Sequence, residues 1–499
     1  MGRNRRRSVG DSIKTKSICP VCKMVIEADV LEEGGKILMK KTCPEHGYFE
    51  DVYWSDPASF YKFKRFGRDG RGVSNPMVGE REGCPYDCGL CAEHLTGTIL
   101  ANIDLTNRCN QRCPICFANA AAAGYVVEPT MEEIEKMLKV LREEEPVGCT
   151  AVQFAGGEPT VRKELPEIIR MAKDMGFSQI QVATNGVKLA KDLEFCRKIR
   201  DAGLNTLYFQ FDGLKEEIYE EIRGYNALPL KLKVIENCRK TRITSVVLVQ
   251  TLAKGLNDDQ LGPMLDFAAE NHDVIRGINV QPISFAGRTD INEVHAKRIT
   301  IPDFMRLVEE QTAGAIAKDD FYPVPFVLPI SRIIERWRET PQVEFTVHPH
   351  CGVATYVFIE DGKYIPITRF IDVEGLMELL EEEITSIHGF GDRLKLVKNL
   401  ITKIPHFIDQ ERSPIKVDVA KLIINVIREG NTRALAEFHD NTLFLGAMHF
   451  QDLYNIDLER VRRCGIHYAI PDGRVIPFCT YNTLHREKVE KKFAIDTGE

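Results

Sequence analysis

Residues 99–117 read ILANIDLTNRCNQRCPICF, a strand-like run followed by a loop with three cysteines in a Cys-x3-Cys-x2-Cys spacing. Three thiolates from one short loop can bind three irons of a cubane cluster and leave its fourth iron without a protein ligand. A purely structural cluster would normally have a fourth cysteine, and none lies nearby in the sequence. A substrate or cosubstrate binds at such an open iron, so we expect the chemistry to take place at Cys109, Cys113 and Cys116.

Outward from this loop, strand-like and helix-like segments alternate along the chain. Short β-branched or aromatic runs bounded by Gly, Asn, Asp or Pro recur at 99–106, 150–156, 180–186, 205–213, 244–252 and 275–283. Amphipathic stretches with apolar residues at helical spacing lie between them. Six β/α units in a row predict a parallel sheet, either doubly wound or curled into a partial barrel. The active sites of such sheets lie at the carboxyl ends of the strands.

Glycine and polar residues stand at these strand ends. Gly156-Gly157-Glu158-Pro159 follows the second strand, where glycines allow close backbone approach and a carboxylate complements an ammonium group. Each of the further candidates is also an ordinary turn residue when considered alone. These further candidates are Asn185, Asp212, Gln250 and Gln281.

The three-cysteine loop and the GGEP segment resemble the radical S-adenosylmethionine (SAM) superfamily over residues 99 to about 285. The resemblance implies a partial (β/α)6 TIM-like barrel, with SAM bound to the open iron of a [4Fe–4S] cluster held by the three cysteines. It also implies cleavage of SAM to a 5′-deoxyadenosyl radical that abstracts hydrogen from an unactivated C–H bond. The residues that it implies for binding SAM are Ile115, Phe117, Gly156, Gly157, Glu158, Asn185, Asp212, Gln250 and Gln281.

A second Cys-x3-Cys-x2-Cys group, formed by Cys84, Cys88 and Cys91, precedes the first barrel strand. Because it lies before that strand, it is not placed to receive SAM. We interpret it as an auxiliary [4Fe–4S] cluster, with a zinc site as the alternative.

Two Cys-Gly hairpins nearer the C-terminus carry further candidate ligands. One begins at Cys351, and the other turns on Asp472-Gly473, which brings the thiols of Cys464 and Cys479 together. These three cysteines predict a second auxiliary cluster or additional ligands for the first. Besides an exchangeable iron, the candidates for the remaining ligand positions are His350, His449 and His467.

A Cys-x2-Cys pair and a Cys-x2-His pair near the N-terminus predict a mononuclear site. Cys19, Cys22, Cys43 and His46 match a closed tetrahedral zinc site, or an iron site, in a rubredoxin-like or zinc-knuckle module. The motifs divide the chain into four parts. These are the N-terminal module at 1–75, an auxiliary cluster segment at 76–98, the barrel at 99–290, and a mixed α/β C-terminal domain for cluster ligands and substrate at 291–499.

The composition excludes several classes of protein. The 499 residues carry a formal net charge of −7 and 43% of them are hydrophobic, which excludes a disordered tail and a polycationic nucleic-acid binder. The apolar runs are far shorter than the ~18–20 residues that span a bilayer, and no signal peptide is recognisable. We expect a cytoplasmic protein. For its basic N-terminal residues, a peripheral contact with membrane phosphates is the alternative to a solvated tail.

Across essentially the whole chain, the order of these parts resembles an archaeal branch of the superfamily that contains the tetraether lipid synthases. That resemblance implies carbon–carbon coupling between terminal sp3 carbons of two phytanyl chains of archaeal diether phospholipids, with a low-potential electron donor such as a ferredoxin. The apolar segment from Phe321 to Ile330 fits a hydrophobic tunnel for such chains.

Three other functions remain as alternatives. The first is a radical SAM methyltransferase that acts on a dihydropterin in methanopterin biosynthesis, which the motifs do not distinguish from the lipid enzyme. The second is an electron-transfer protein, which the GGEP segment disfavours because such a protein has no need of a SAM site. The third is a nucleic-acid modifying enzyme, which the acidic balance disfavours.

Overall fold

The computed structural model describes residues 12–79, 81–122, 124–386, 390–414 and 438–495, together with 418, 421, 424 and 425. Most of the basic N-terminal stretch lies outside the described residues. The strands are β1 Ile13–Ile18, β2 Val25–Glu33, β3 Lys36–Cys43, β4 Gly47–Trp54, β5 Leu100–Thr106, β6 Ala151–Gly156, β7 Gln179–Thr184, β8 Thr206–Gln210, β9 Val246–Leu252, β10 Ile275–Pro282, β11 Tyr322–Pro323, β12 Gly352–Glu360, β13 Lys363–Pro366, β14 Leu443–Met448, β15 Ile466–Ala469 and β16 Val475–Pro477.

The helices lie between these strands and after them. They are α1 Pro57–Lys64, α2 Met131–Arg142, α3 Leu165–Asp174, α4 Val187–Lys191, α5 Leu193–Ala202, α6 Glu216–Arg223, α7 Leu228–Thr241, α8 Leu261–Glu270, α9 Val294–Lys297, α10 Ile301–Gln311, α11 Leu328–Arg338, α12 Val373–Ser386 and α13 Phe390–Lys403. Three shorter helices follow at Leu458–Arg462, Phe478–Thr480 and Arg486–Lys492. Within the residues that the structure describes, every helix is too short or too polar to traverse a bilayer.

A large sheet of twelve strands forms the body of the molecule, and its centre is the predicted barrel. Strands β5 to β10 lie side by side in sequence order, and all five neighbouring pairs are parallel. The predicted α/β fold with six parallel β/α units is therefore confirmed. The strands are rich in Val, Ile, Leu and Phe because helices cover their outer face. Their carboxyl ends share one edge, which places the polar strand-end residues together.

Strands from the C-terminal region extend this sheet at both edges. β14 pairs in parallel with β10, and β12 then pairs antiparallel with β14. At the other edge β15 pairs in parallel with β5, and β16 forms a hairpin with β15. Both predicted Cys-Gly hairpins are present, and the glycines of their turns, Gly362 and Gly473, have φ of 74° and 92°, as tight hairpins need. One continuous sheet thus includes strands from both sides of residue 290.

The N-terminal module is a four-stranded antiparallel sheet, and it is fastened to the body by buried charges. The Lys41 ammonium donates to the carbonyls of Ile18 and Leu453 at 3.0 and 2.7 Å. Arg298, which is buried, lies between the carboxylates of Asp51 on β4 and Asp452. These contacts join the module to the C-terminal region, and Asp452 also accepts a hydrogen bond from the backbone amide of Phe285 in the barrel at 3.0 Å.

Candidate active site and metal centres

The loop that carries the three barrel cysteines is fixed at both ends by hydrogen bonds. At its start, the Asn107 side chain donates to the carbonyl of Tyr125 and accepts from the amide of Val127, each at 2.9 Å. At its end, Cys116 and Arg288 exchange two backbone hydrogen bonds of 2.9 Å, and Arg288 Nε donates to another loop carbonyl at 2.7 Å. The loop is thus held between β5 and the segment after β10.

Cys109, Cys113 and Cys116 are half-buried and line a single cavity. Burial raises the pKa of Cys109 to about 12 and also raises the pKa of Cys113. Because metals bind the thiolate, iron at these positions would displace protons that the buried thiols otherwise retain. Three thiols from one loop, on the wall of one cavity, fit the donor set of a [4Fe–4S] cluster with one open iron.

The two glycines after β6 allow close contact with the cysteine loop. Gly156 has φ of 122°, and a Cβ there would overlap the carbonyl oxygen of Thr106. A Cβ on Gly157 would overlap the carbonyl oxygen of Arg108. The amides of Gly157 and Glu158 donate to these same two carbonyls at 2.7 and 2.9 Å. The glycines therefore let the end of β6 pack directly against the loop that would hold the cluster.

Glu158 lines the same cavity, yet both oxygens of its buried carboxylate already accept hydrogen bonds from the chain. Oε1 accepts from the hydroxyls of Thr160 and Thr184 at 2.5 and 2.7 Å, and Oε2 accepts from the amide of Asn185 at 2.8 Å. Burial raises the pKa of this carboxyl. Glu158 thus joins the ends of β6 and β7, and its contact with the amino group of SAM stays a prediction.

Asn185 connects the cysteine loop to a buried lysine. Its Nδ2 donates to Asn110 Oδ1 at 2.7 Å and lies 4.0 Å from the sulfur of Cys109. Its carbonyl accepts from Lys231 Nζ at 2.7 Å, and the same ammonium donates to Gln210 Oε1 at 3.1 Å. Burial lowers the pKa of Lys231 to about 7.

A buried ion pair lies beneath the loop, and its cation was missed by sequence reasoning. Arg223 Nε and Nη2 donate to the two carboxylate oxygens of Asp212 at 2.9 and 2.8 Å, and Nη1 reaches the carbonyl of Ile115 at 3.4 Å. Burial acts to raise the pKa of Asp212, but the guanidinium holds it below its ordinary value. Burial raises the pKa of the Cys113 thiol, and the positive charge of Arg223 acts to lower it. No motif marks this arginine in the sequence, because it lies inside an ordinary amphipathic helix.

The structure separates the predicted SAM contacts into two groups. Asp212 and Gln250 are fully buried and do not line the cavity, and Gln250 Nε2 donates to the carbonyls of Asp212 and Asn257 at 3.3 and 3.2 Å. Both side chains therefore bind other parts of the chain. The predicted contacts that do line the cavity are Ile115, Phe117, Gly156, Gly157, Glu158, Asn185 and Gln281.

The cavity has a volume of about 830 Å³ and runs from the cysteine loop to the C-terminal region. Its walls are mostly apolar and include residues of α12. Part of the apolar segment from Phe321 to Ile330 lies in this wall, as the sequence suggested. Ligand pockets in proteins measure about 300–1,000 Å³, so the space suits SAM together with a second small molecule.

The N-terminal cysteines and histidine form a mononuclear metal site. Cys22 Sγ lies 3.8 Å from Cys43 Sγ, and His46 Nδ1 lies 3.8 and 3.5 Å from the sulfurs of Cys19 and Cys43. Zinc–sulfur bonds of about 2.3 Å at tetrahedral angles place two sulfurs about 3.8 Å apart. All four ligand atoms lie within 4.8 Å of one another, so the donor set fits one metal ion and leaves no room for a cubane.

The two auxiliary cysteine groups are neighbours in the structure. Cys88 Sγ lies 3.3 Å from the hydroxyl of Thr480, the residue next to Cys479. Cys88, Cys464 and Cys479 belong to one apolar cluster with Phe478. Burial raises the pKa of Cys479 to about 11, and the charge of Cys351 acts in the same direction. Cys464 and Cys479 thus pack beside Cys88, and a metal cluster shared by Cys351, Cys464 and Cys479 stays a prediction.

The three histidines considered as cluster ligands differ in their surroundings. His350 Nε2 bonds the carbonyl of Phe60 at 3.0 Å, and His467 lies between Thr98 and His94, each at 3.1 Å. Both ring nitrogens of buried His449 lack a hydrogen-bond partner within the described part of the chain. His449 also donates its backbone amide to the carbonyl of Cys351 at 3.0 Å. Its unpaired ring favours it over the other two as a ligand.

Comparison with known proteins identifies two family models and a full-length relative. The model of the radical SAM superfamily matches residues 103–268, and that of the HMPTM N-terminal zinc ribbon domain matches residues 13–55. A 7,8-dihydro-6-hydroxymethylpterin dimethyltransferase from Methanocaldococcus jannaschii is 53% identical over 97% of this chain and 96% of its own. A probable GTP 3′,8-cyclase from Thermococcus kodakarensis is 32% identical over 36% of this chain and 56% of its own.

This full-length likeness contradicts the expected coupling of phytanyl chains into tetraether lipids. The relative is named as a methyltransferase for a pterin, so the archaeal phospholipid substrate, the peripheral membrane contact and the oxidoreductase class all lose their support. The expectation was wrong because it used the order of the metal motifs. That order determines how a radical is made and contains no information on the molecule that receives it.

Proposed function

The chain belongs to the radical SAM superfamily, in the family of the archaeal 7,8-dihydro-6-hydroxymethylpterin dimethyltransferase, and from this premise we propose that it methylates a 7,8-dihydropterin in methanopterin biosynthesis. The observation that carries the proposal is the 53% identity over 97% of the chain. It includes the zinc ribbon and the C-terminal region as well as the barrel. Likeness confined to the barrel would support radical chemistry alone.

The cofactors are a [4Fe–4S] cluster, SAM and a mononuclear metal in the ribbon. Bound at the barrel loop, cluster and SAM supply a 5′-deoxyadenosyl radical that can take a hydrogen atom from a C–H bond. Cys109, Cys113 and Cys116 hold the iron, and Gly156 and Gly157 allow the end of β6 to pack against that loop. The apolar walls exclude water from the site.

Radical SAM enzymes need a reductant, and we propose a low-potential donor such as a ferredoxin. We further propose that Cys84, Cys88 and Cys91 hold one auxiliary cluster. A second would use Cys351, Cys464 and Cys479, with His449 as a candidate for its fourth ligand. Support comes from Cys88, which is buried, and from half-buried Cys464 and Cys479, which pack with it in one apolar cluster.

The proposal is tested with the full chain, reconstituted with iron and sulfide without oxygen and reduced chemically. Because the added methyl group needs a donor, the chain is incubated with 6-hydroxymethyl-7,8-dihydropterin, with SAM as the radical source, and with two candidate methyl donors, namely SAM labelled in its S-methyl group and a methylene tetrahydrofolate. Each component is omitted in turn. Mass spectrometry should find 5′-deoxyadenosine and a pterin that carries one or two additional methyl groups, both dependent on SAM. Cleavage of SAM with no change in the pterin, under conditions in which the cluster is fully reduced, would contradict the proposed substrate.

A further inference from the structure

The floor of the large cavity differs from its walls. Among the neutral polar side chains that line the cavity at the barrel, six lie on five strands, β5 to β8 and β10. We name this set the amide floor, and its members are Asn102, Gln153, Gln181, Tyr208, Asn279 and Gln281.

One half of the amide floor is a ladder across neighbouring strands. Asn102 on β5 is the register partner of Gln153 on β6, which is the partner of Gln181 on β7. Gln153 Nε2 donates to Asn102 Oδ1 at 2.8 Å, while Gln153 Oε1 is buried and accepts no hydrogen bond in the described part of the chain. Gln153 is 9% exposed. A buried amide oxygen without a donor is destabilising, and a ligand that presents an N–H group to it would relieve this.

The other half of the amide floor is built around one hydroxyl. Asn279 Nδ2 and Gln281 Nε2 both donate to the hydroxyl oxygen of Tyr208, the second at 3.1 Å. Because the oxygen accepts twice, its own proton is available to a third group. The floor therefore offers hydrogen-bond donors and acceptors and no formal charge.

We infer that the amide floor binds the pyrimidinone ring of the substrate, an inference that rests on the proposed function. The 2-amino-4-oxo edge of a pterin alternates N–H donors with oxygen and nitrogen acceptors, and it is uncharged. Glutamine and asparagine recognise such edges with paired hydrogen bonds. A purely apolar ligand would leave these amides unpaired in a low-dielectric cavity.

The position of the floor suits this role. Gln153 precedes Gly156 by three residues on β6, and Gln181 precedes Thr184 by three residues on β7. At about 3.3 Å per residue, the amides lie about 10 Å along the strands from the edge where SAM is expected. The amide floor and the expected SAM site therefore lie within one cavity.

The test measures dihydropterin binding to the reconstituted full chain by anaerobic calorimetry. Gln181→Leu and Tyr208→Phe should each raise the Kd for 6-hydroxymethyl-7,8-dihydropterin at least tenfold and leave the Kd for SAM within twofold. Gln179→Leu is the matched control, because Gln179 lies on the same strand, outside the cavity, and donates to Thr206. The Kd of the Gln179→Leu variant for the pterin should equal that of the unmodified chain.

A pterin analogue tests recognition by the amide floor without any substitution in the chain. The 2-oxo analogue of the pterin exchanges the amino donor for an acceptor, and it should bind the unmodified chain at least tenfold more weakly than the pterin. Unchanged pterin affinity in both Gln181→Leu and Tyr208→Phe, with normal binding by the unmodified chain, would overturn the inference and leave the proposed function intact. If the unmodified chain binds no dihydropterin, the proposed function itself fails, and the inference with it.

Discussion

Arg223 and Asp212 form a buried bidentate ion pair, with Nε–Oδ2 and Nη2–Oδ1 distances of 2.9 and 2.8 Å. The pair connects α6 to the end of β8, and the guanidinium also lies close to the thiol of Cys113. A fixed positive charge beside a cluster thiolate stabilises the extra electron of the reduced cluster. The ion pair therefore links the fold of the barrel to the electrochemistry of its loop.

Replacing Arg223 with methionine should lower the midpoint potential of the cluster and destabilise the chain. It leaves the Asp212 carboxylate buried without its partner, which costs about 3–5 kcal/mol. The potential is measured by electron paramagnetic resonance during a redox titration, and stability by denaturant unfolding without oxygen. The double variant Arg223→Met/Asp212→Asn removes both charges and should recover stability, while the potential stays low. An unchanged potential in Arg223→Met would show that the cation acts only on the fold.

Cys113→Ala should abolish 5′-deoxyadenosine formation while the fold persists, because two thiolates cannot hold the cluster with its open iron. Cys238→Ala is the matched control, since Cys238 is a buried cysteine of α7 that does not line the cavity. This control should keep its activity and lose about 1 kcal/mol of stability. Deoxyadenosine is measured by chromatography after anaerobic reconstitution, and the fold by circular dichroism. Normal turnover by Cys113→Ala would remove the loop from the mechanism.

The parts of this structure that the sequence predicts are those determined by local signals. The six β/α units follow from short apolar strands and amphipathic helices, and the two Cys-Gly hairpins follow from Asp-Gly turns. The ribbon site follows from ligand spacing alone, because four ligands at that spacing fit one tetrahedral ion. Each of these depends on residues that are close together in the chain.

The parts that the sequence does not predict depend on distant pairing. β14 joins β10 across more than 150 residues, and β15 joins β5 across more than 350. No local pattern reveals such neighbours. The ion pair of Asp212 joins residues only 11 positions apart, but no motif marks Arg223 as its partner. Asp212 and Gln250 stand at strand ends, yet their side chains point away from the cavity into a hydrogen-bond network.

Lys231 makes stability depend on pH in an unusual direction. Its folded pKa of about 7 lies below the ordinary 10.5, so between these values the unfolded chain binds more protons than the folded chain. Stability should therefore rise as the pH increases from 7 towards 10, by up to about 1.4 kcal/mol per pH unit. Lys231→Met should lose this rise, and Lys240→Met, which removes an exposed lysine of the same helix, should keep it. Denaturant unfolding at pH 7, 8 and 9 measures the difference, and parallel curves for unmodified chain and Lys231→Met would contradict the assignment.

Removal of one metal ligand of the N-terminal zinc-ribbon module should release its metal ion and destabilise that module. The cluster proposed for the barrel should stay bound. Cys22→Ser lowers the donor set to three, and because metal binding contributes to folding, the residues between Cys19 and His46 should become accessible to protease. His46→Cys keeps four donors and should keep both metal and protection. Elemental analysis of the purified chains distinguishes zinc from iron and should find one equivalent less of that metal in Cys22→Ser. The contacts of Lys41 and Arg298 lie outside the metal site, so cleavage of SAM should continue in both variants. A full metal content in Cys22→Ser would mean that the exposed cysteine is not a ligand.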